Sequence, residues 1–306
     1  MSSLLILSEV QRALQLGMPV VALESAVITH GLPEPYHLSL AQDVEMTVRQ
    51  NGATPATIAM LDGKIHIGLN TFELERLAQK KGETLKISRR DIAIGILKKA
   101  NGGTTVAGTI FLAHKVGIQV FATGGIGGVH RETIFDISAD LYALADTPLI
   151  VVCAGAKAIL DLQATLERLE SLSVPVVGYQ TKEFPAFYSR ESGLPVGIRL
   201  ERVEEIVEFA LTHWQLGMRS AVLVTQPPPE EEAIPRAEVE RWIEQANQEA
   251  RRQGIRGQEI TPYLLQRVNE LSDGRALRVN LALLRNNAAL AARIAYELAR
   301  RNQKQI

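Results

Sequence analysis

Residues 118–157 read IQVFATGGIGGVHRETIFDISADLYALADTPLIVVCAGAK, and the rest of the chain repeats their plan. Two apolar runs, IQVFAT (118–123) and PLIVVC (148–153), read as buried strands. A Gly-rich loop, an acidic block and a helical segment, SADLYALAD (138–146), separate them. In α/β proteins the loops at strand ends hold the sites. Those loops here contain His130, Asp136, Ser138, Asp140 and Lys157. So many polar groups beside so many glycines have few purely structural explanations, and we take the segment as a candidate catalytic centre.

Working outward, strand-like and helix-like segments alternate. On the N-terminal side Ser8 is placed to cap a short helix ending near Gly17, and the strand PVVALES (19–25) follows. YHLSLAQDVEMTVRQNG (36–52) reads as a helix with a glycine stop, and TIAMLDGKIHIGL (57–69) as a hairpin around Asp62-Gly63. TFELERLAQKKG (71–82) is helical, RRDIAIGILKKANGG (89–103) is a short strand or a helix, and TTVAGTIFLAHKVG (104–117) is an apolar-faced helix. On the C-terminal side AKAILDLQATLERLESL (156–172) reads as a helix and VPVVGYQ (174–180) as a strand. A helix over 202–217, a strand SAVLVTQ (220–226), the break Pro227-Pro228-Pro229 and three further helices complete the chain. Repeated strand–helix units predict a mixed, largely parallel sheet with helices on both faces. No linker marks a boundary, so we expect a single domain over 1–306; a small excursion at 227–262 is the alternative.

Composition narrows the function. With 46% hydrophobic and 22% charged residues, the chain is an ordinary globular one. A net charge of -1 gives no electrostatic case for a nucleic-acid or membrane-surface partner. Arg293, Arg300, Arg301 and Lys304 recur at helical spacing and read as a solvated helix face. The one cysteine, Cys153, cannot form an intrachain disulfide; it reads as a small buried hydrophobe, with a nucleophilic role the lesser alternative. The N-terminus lacks a basic segment ahead of its short apolar run, and no apolar run reaches the roughly 20 residues of a membrane span. We therefore expect a cytoplasmic protein.

Individual residues carry chemistry. An apolar strand delivers Glu24 into the stiff loop SAVITHGLPEP; partial burial there would raise its pKa and suit it to proton donation. A strand-end glutamate bonded to backbone would leave the same trace. Lys86, Arg89 and Arg90 form a cluster able to hold a phosphate, or a solvated basic loop. Gly102, Gly103, Thr104 and Thr105 at a helix start suit an anion, and suit an ordinary Thr cap equally well. From Gly125 the loop approximates the G-x-G-x-x-G dinucleotide pattern, but His130 occupies the third glycine position and no acidic strand end follows at the right distance. Asp136 and Asp140 offer oxygen ligands for Mg²⁺ or Mn²⁺, with Ser138 capping the helix between them. Lys157, placed in the first helical turn after a buried strand, would be held partly neutral by the helix dipole and burial, as an amine nucleophile requires. A lysine reaching to solvent is its alternative.

The segments ALESAVITHG, KISRRDIA, GGTTVAGT, FATGGIGGVHR, FDISADL, VVCAGAKAILD, TLERLESLSVPVVGYQT, FPAFYSRESGL and VNLALLRNNAALAARIA closely resemble the pseudouridine-5′-phosphate glycosidase family. They occur in family order from about residue 20 to about residue 297. The resemblance implies reversible cleavage of the C–C glycosidic bond of pseudouridine 5′-phosphate to uracil and ribose 5-phosphate through a lysine Schiff base. By position it puts the proton donor on Glu24, the nucleophile on Lys157 and the Mn²⁺ ligand on Asp136. Substrate contacts fall on Lys86, Val106, Ser138, Ala139 and Asp140, with His130 and Asn280 also at the site. It further implies an α/β/α sandwich and a homotrimer with one divalent ion per subunit. The segment between His130 and Asp136 is slightly shorter than the family pattern. An aldolase-like lyase acting on a sugar phosphate, or a nucleotide sensor without turnover, would share parts of this sequence.

Overall fold

The computed structural model describes residues 3–31, 36–79, 84–131, 136–255 and 257–303. Its strands in chain order are β1 (Leu4–Ile6), β2 (Val20–Leu23), β3 (Thr54–Leu61), β4 (Lys64–Ile67), β5 (Thr84–Ile87), β6 (Asn101–Thr104) and β7 (Val120–Ala122). Then come β8 (Val129–His130), β9 (Ile150–Cys153), β10 (Leu160–Asp161), β11 (Val176–Tyr179), β12 (Ile198–Leu200) and β13 (Val222–Thr225). The main sheet runs β1-β4-β3-β2-β7-β9-β13-β11-β12. It is parallel except where β3 meets β4 and β6, so it is mixed and mostly parallel, as the alternation predicts. β3 is long enough to pair with β2 through its first half and with β4 and β6 through its second. Asp62 and Gly63, both at positive φ, turn the β3–β4 hairpin.

The central strands β2, β7, β9 and β13 are buried along their whole length, because helices cover both faces of the sheet. The 29-residue helix Arg275–Gln303 lies across β2, β7 and β9, with helices Tyr36–Gln50 and Val203–Gln215 beside it. Helices Val106–Lys115, Ala139–Asp146 and Leu162–Ser171 form a second packed group. From β2 the chain crosses to β3 on one side, whereas from β7 it crosses to β9 on the other. The gap between β2 and β7 is thus a topological switch point, where open α/β sheets bind their ligands beyond the carboxyl ends of the strands.

Several local expectations need correction. The first helix begins at Ser8 and has Leu7 at its cap, so Ser8 is inside the helix. Residues 89–103 hold a short 3₁₀ turn, the helix Ile92–Leu97 and then β6. Gly102, Gly103 and Thr104 therefore lie in a strand and not at a helix start; a Cβ on Gly102 would sit 2.6 Å from the Leu85 carbonyl oxygen. Lys157 is not helical either: the helix expected from residue 156 begins at Leu162, and Asp161 caps it. Arg300 and Arg301 pair with Glu297, Arg293 lies over the Tyr179 ring, and Lys304 falls outside the described residues. Cys153 is buried in β9, with its thiol pushed up to about 12 by burial, which leaves no thiolate for nucleophilic work.

Candidate active site

A cavity of about 370 Å³ opens beyond β2, β7 and β9. Glu24 enters it directly after β2, Thr123, Gly124 and Gly125 after β7, and Lys157 four residues after β9. Lys86 comes from β5, Thr105 and Val106 from the start of helix Val106–Lys115, and Asn280 from the C-terminal helix. His130, Asp136, Ser138, Ala139 and Asp140 also line it. Segments distant in sequence thus converge because neighbouring parallel strands end together.

Thr104 stays out of the cavity. Its buried hydroxyl donates to the Ile58 carbonyl at 2.7 Å, and its N–H donates to Ser25 Oγ at 3.0 Å. That bond set seals the β6–β3 junction and leaves no anion contact on Thr104. Thr105 takes the bland role weighed for it, accepting from Gly108 N at 3.2 Å as an N-cap, although it also lines the cavity. In the basic cluster Arg89 turns away to Asp146 at 2.7 Å, while Lys86 and Arg90 face the cavity.

Among the described residues the Gly-rich loop leads into the short strand β8 and opens no helix, which removes the dinucleotide reading. Its glycines serve close packing instead: a Cβ on Gly127 would lie 2.6 Å from Ser138 Cβ and 2.7 Å from Asp140 Oδ2. Ser138 caps helix Ala139–Asp146 by accepting from Asp140 N at 3.2 Å. The two aspartates do not act as a matched pair. Asp140 is buried and accepts from Ala107 N at 2.9 Å and Gly127 N at 2.8 Å, locking a helix start to the Gly loop. Asp136 is exposed and faces the cavity. No group of three or more His, Cys, Asp or Glu side chains gathers as a metal centre among the described residues. A hard cation held by one carboxylate, water and substrate oxygens fits such a donor set.

Glu24 and Lys157 face the same space. Burial pushes the Glu24 carboxyl up; the positive charge of Lys157, a hydrogen bond from Thr123 and the charge of Lys86 pull it back, while Asp140 adds to the rise. Lys86 is held below the usual lysine range, by burial first and then by the charge of Lys157, against the pull of Asp140 and Glu24. The Lys157 backbone is fixed by strand-like bonds: its N–H donates to the Ile126 carbonyl at 3.0 Å, and Ile126 N donates to Gly155 O at 3.1 Å. Gly155 has φ +86°, and a Cβ there would run into the Pro185 carbonyl, so CAGAK needs this glycine to turn. The helix dipole expected to act on Lys157 has no helix behind it.

The family model described as indigoidine synthase A like protein matches residues 9–297. A pseudouridine-5′-phosphate glycosidase of Caldanaerobacter subterraneus subsp. tengcongensis is 52% identical, with 95% of each chain covered. One from Glaesserella parasuis serovar 5 is 50% identical over 97% of this chain and 99% of the relative. The chain belongs to the pseudouridine-5′-phosphate glycosidase family. Among solved structures, the prealnumycin C-glycosynthase AlnA in complex with ribulose 5-phosphate aligns with a TM-score of 0.90 at 40% identity, covering 98% of both chains. An indigoidine synthase A-like protein from Thermotoga maritima aligns at 0.89 and 38%, again over 98% of both.

Within this pseudouridine-5′-phosphate glycosidase fold, several cavity residues had gone unremarked in the sequence. Thr123 donates its hydroxyl to Glu24 Oε1, and Asn287, fully buried, donates to the Thr123 carbonyl at 2.9 Å. Phe187 reaches the cavity from a positive-φ position, its N–H bonded to Ala154 O at 3.1 Å. Thr261, Pro262 and Leu265, from helix Ile260–Leu271, form part of the wall. Position immediately after an apolar strand was the available signal for Thr123; the others reach the site only through long-range packing. Of the shortened segment between His130 and Asp136, Arg131 is described and residues 132–135 lie outside the described residues.

Proposed function

We propose that this chain reversibly cleaves the C–C glycosidic bond of pseudouridine 5′-phosphate, giving uracil and ribose 5-phosphate, with Lys157 as nucleophile and Glu24 as acid. One observation carries the reading: a carboxyl pushed toward its protonated form by burial shares a single cavity with a primary amine, at the switch point of the sheet. The activity named for relatives about half identical over nearly the whole length supports the substrate. The pentulose phosphate named with the C-glycosynthase structure supports a sugar-phosphate site.

The chemical difficulty is a carbon leaving group. A pair of carboxylates of the usual glycosidase kind protonates an oxygen or nitrogen that leaves, and this bond offers neither. An amine solves the problem. The Lys157 amine attacks C1′ while Glu24 protonates the ring oxygen, so the C1′–O4′ bond breaks and the opened sugar stays on the enzyme. Protonation of uracil at C5 then allows the nitrogen lone pair to expel the base, leaving a protonated imine. Water adds to that imine and releases ribose 5-phosphate, returning the free amine.

In this reading the 5′-phosphate meets Lys86 and the Thr105–Val106 and Ser138–Asp140 segments, with His130 and Asn280 on the sugar and base. Asp136 would hold the divalent ion, Mn²⁺, together with water. Such an ion supplies positive charge and ordered water beside the phosphate. The protein would work in the cytoplasm as a homotrimer with one ion per subunit. No described helix is long and apolar enough to cross a membrane.

The test is to incubate the protein with pseudouridine 5′-phosphate and Mn²⁺ and to measure free uracil. Release of uracil, together with uracil-dependent consumption of ribose 5-phosphate in reverse, is expected. Ribose 5-phosphate consumed equally well without uracil would favour an aldolase-like lyase, and binding without turnover would favour a sensor.

A further inference from the structure

The segment that carries Lys157 has no helix to hold it, yet it follows a defined path. Beyond the bond from Lys157 N to Ile126 O, the Lys157 carbonyl accepts from Leu160 N at 3.0 Å, closing a tight turn. Two carbonyls farther along are held by one side chain that follows another strand. Arg131, directly after β8, donates Nη2–H to Ala158 O at 2.9 Å and Nε–H to Leu160 O at 3.1 Å. Its outer edge pairs with Glu240 of helix Arg236–Gln253, Nη1 to Oε2 at 2.7 Å and Nη2 to Oε1 at 3.1 Å. The guanidinium thus stands as a fork between the turn and a distant helix. β8 and β10 pair beside it, with Leu160 opposite His130.

We propose that Arg131, clamped by Glu240, is the positioning residue that sets the Lys157 amine against its substrate. The proposal rests on the reading of Lys157 as nucleophile. Ala158 and Leu160 are buried, at 3% and 2% exposure, so carbonyls that lose Arg131 have little water to replace it. The turn must then shift to find partners, and Lys157 shifts with it. Displacing a reacting group by about 1 Å costs on the order of 100-fold in rate without touching the binding contacts. Planarity and the forked donors make arginine necessary, because a lysine ammonium cannot satisfy two carbonyls and a carboxylate in one plane. Glu240 matters because it holds the fork in register, and its helix packs on helix Ile260–Leu271, which supplies part of the cavity wall.

The experiment compares Arg131→Ala, Arg131→Lys, Glu240→Gln and Lys157→Ala, reading kcat and KM for pseudouridine 5′-phosphate, borohydride trapping with ribose 5-phosphate, and Tm. Arg131→Ala should lose about 100-fold in kcat and in trapping rate, with KM held within about threefold. Millimolar guanidinium should restore much of that loss, and urea at the same concentration should not. Arg131→Lys should stay impaired, and Glu240→Gln should fall between Arg131→Ala and the wild type. A kcat within threefold of wild type in Arg131→Ala, with Lys157→Ala inactive, overturns the positioning role and leaves the nucleophile standing. Full turnover in Lys157→Ala overturns both. Should Arg131→Ala fail to fold, Glu240→Gln decides: wild-type kcat sinks the proposal, and a lowered kcat at unchanged KM sustains it.

Discussion

The Thr123 hydroxyl donates a hydrogen bond to Oε1 of Glu24, joining the ends of β7 and β2 across the switch point of the sheet. With Oε1 engaged as an acceptor, a proton on Glu24 sits on Oε2, the oxygen left for the substrate. Asn287 holds the Thr123 carbonyl from the other side, so the acid is oriented by three segments that are far apart in sequence.

Thr123→Val should lower kcat by about 10- to 100-fold, a share of the 10²–10⁴ that a positioned acid contributes. Thr123→Ser should retain most activity because it keeps the donor. This hydrogen bond holds the Glu24 pKa down, so its loss should move the alkaline fall of activity attributable to Glu24 to higher pH. Steady-state pH profiles of both variants check the point; superimposable profiles would count against the orientation.

Glu24→Gln should abolish turnover and stabilise the fold. A carboxyl whose folded pKa is raised binds its proton more tightly in the folded state. Its contribution is present below the unfolded value, near 4.5, and is lost as pH rises through the folded value. The amide keeps the neutral form at every pH. Thermal unfolding should therefore show Glu24→Gln above wild type at pH 8, with the gap closing toward pH 4.

Lys157→Ala and Lys157→Arg should both lose turnover and borohydride trapping, since neither can form an imine. Peptide mass analysis of trapped wild-type protein should place the added mass on the peptide containing CAGAK. An adduct on Lys86, which also lines the cavity, would reassign the nucleophile.

Lys86→Ala should cost the phosphorylated substrate about 10- to 100-fold in kcat/KM, the range for a charge-assisted hydrogen bond. Free pseudouridine, which lacks the phosphate, should be slow with wild type and hardly slower with the variant. Equal losses on both substrates would remove Lys86 from the phosphate site.

Asp136→Ala should lose at least 10-fold in activity, and added Mn²⁺ should not restore it. Asp140→Ala should behave differently, lowering Tm as well, because two buried N–H groups lose their acceptor. A wild-type rate that survives chelation would dismiss the metal.

Sheet class, strands β2, β3, β4, β7, β9, β11 and β13 and the β3–β4 turn were legible along the chain, since buried strands are continuous apolar runs and Asp62-Gly63 is a local turn signal; β1, β5, β8, β10 and β12, each two to four residues long, were not. Glu24 and Lys157 were legible as polar residues just past such strands. Local pattern misled at 102–104, where a Gly-Gly-Thr run beside a capping threonine suggests a helix start, and at Lys157, where the apolar-periodic residues downstream suggest a helix that begins too early. At Gly102–Thr104 pairing with β3 and β5 claims the backbone, and at Lys157 the Ile126 carbonyl does. Periodicity reports which face of a segment is apolar, not which distant group its backbone will bond. The amino-acid order thus determines most of the long helices and buried strands and supplies the acid and the amine. Chain packing settles which carboxylate is exposed, which is locked, and what holds Glu24 and Lys157 in place. Those outcomes depend on Thr123, Asn287, Arg131 and Asp140, whose partners are brought within hydrogen-bonding distance only when the sheet is assembled.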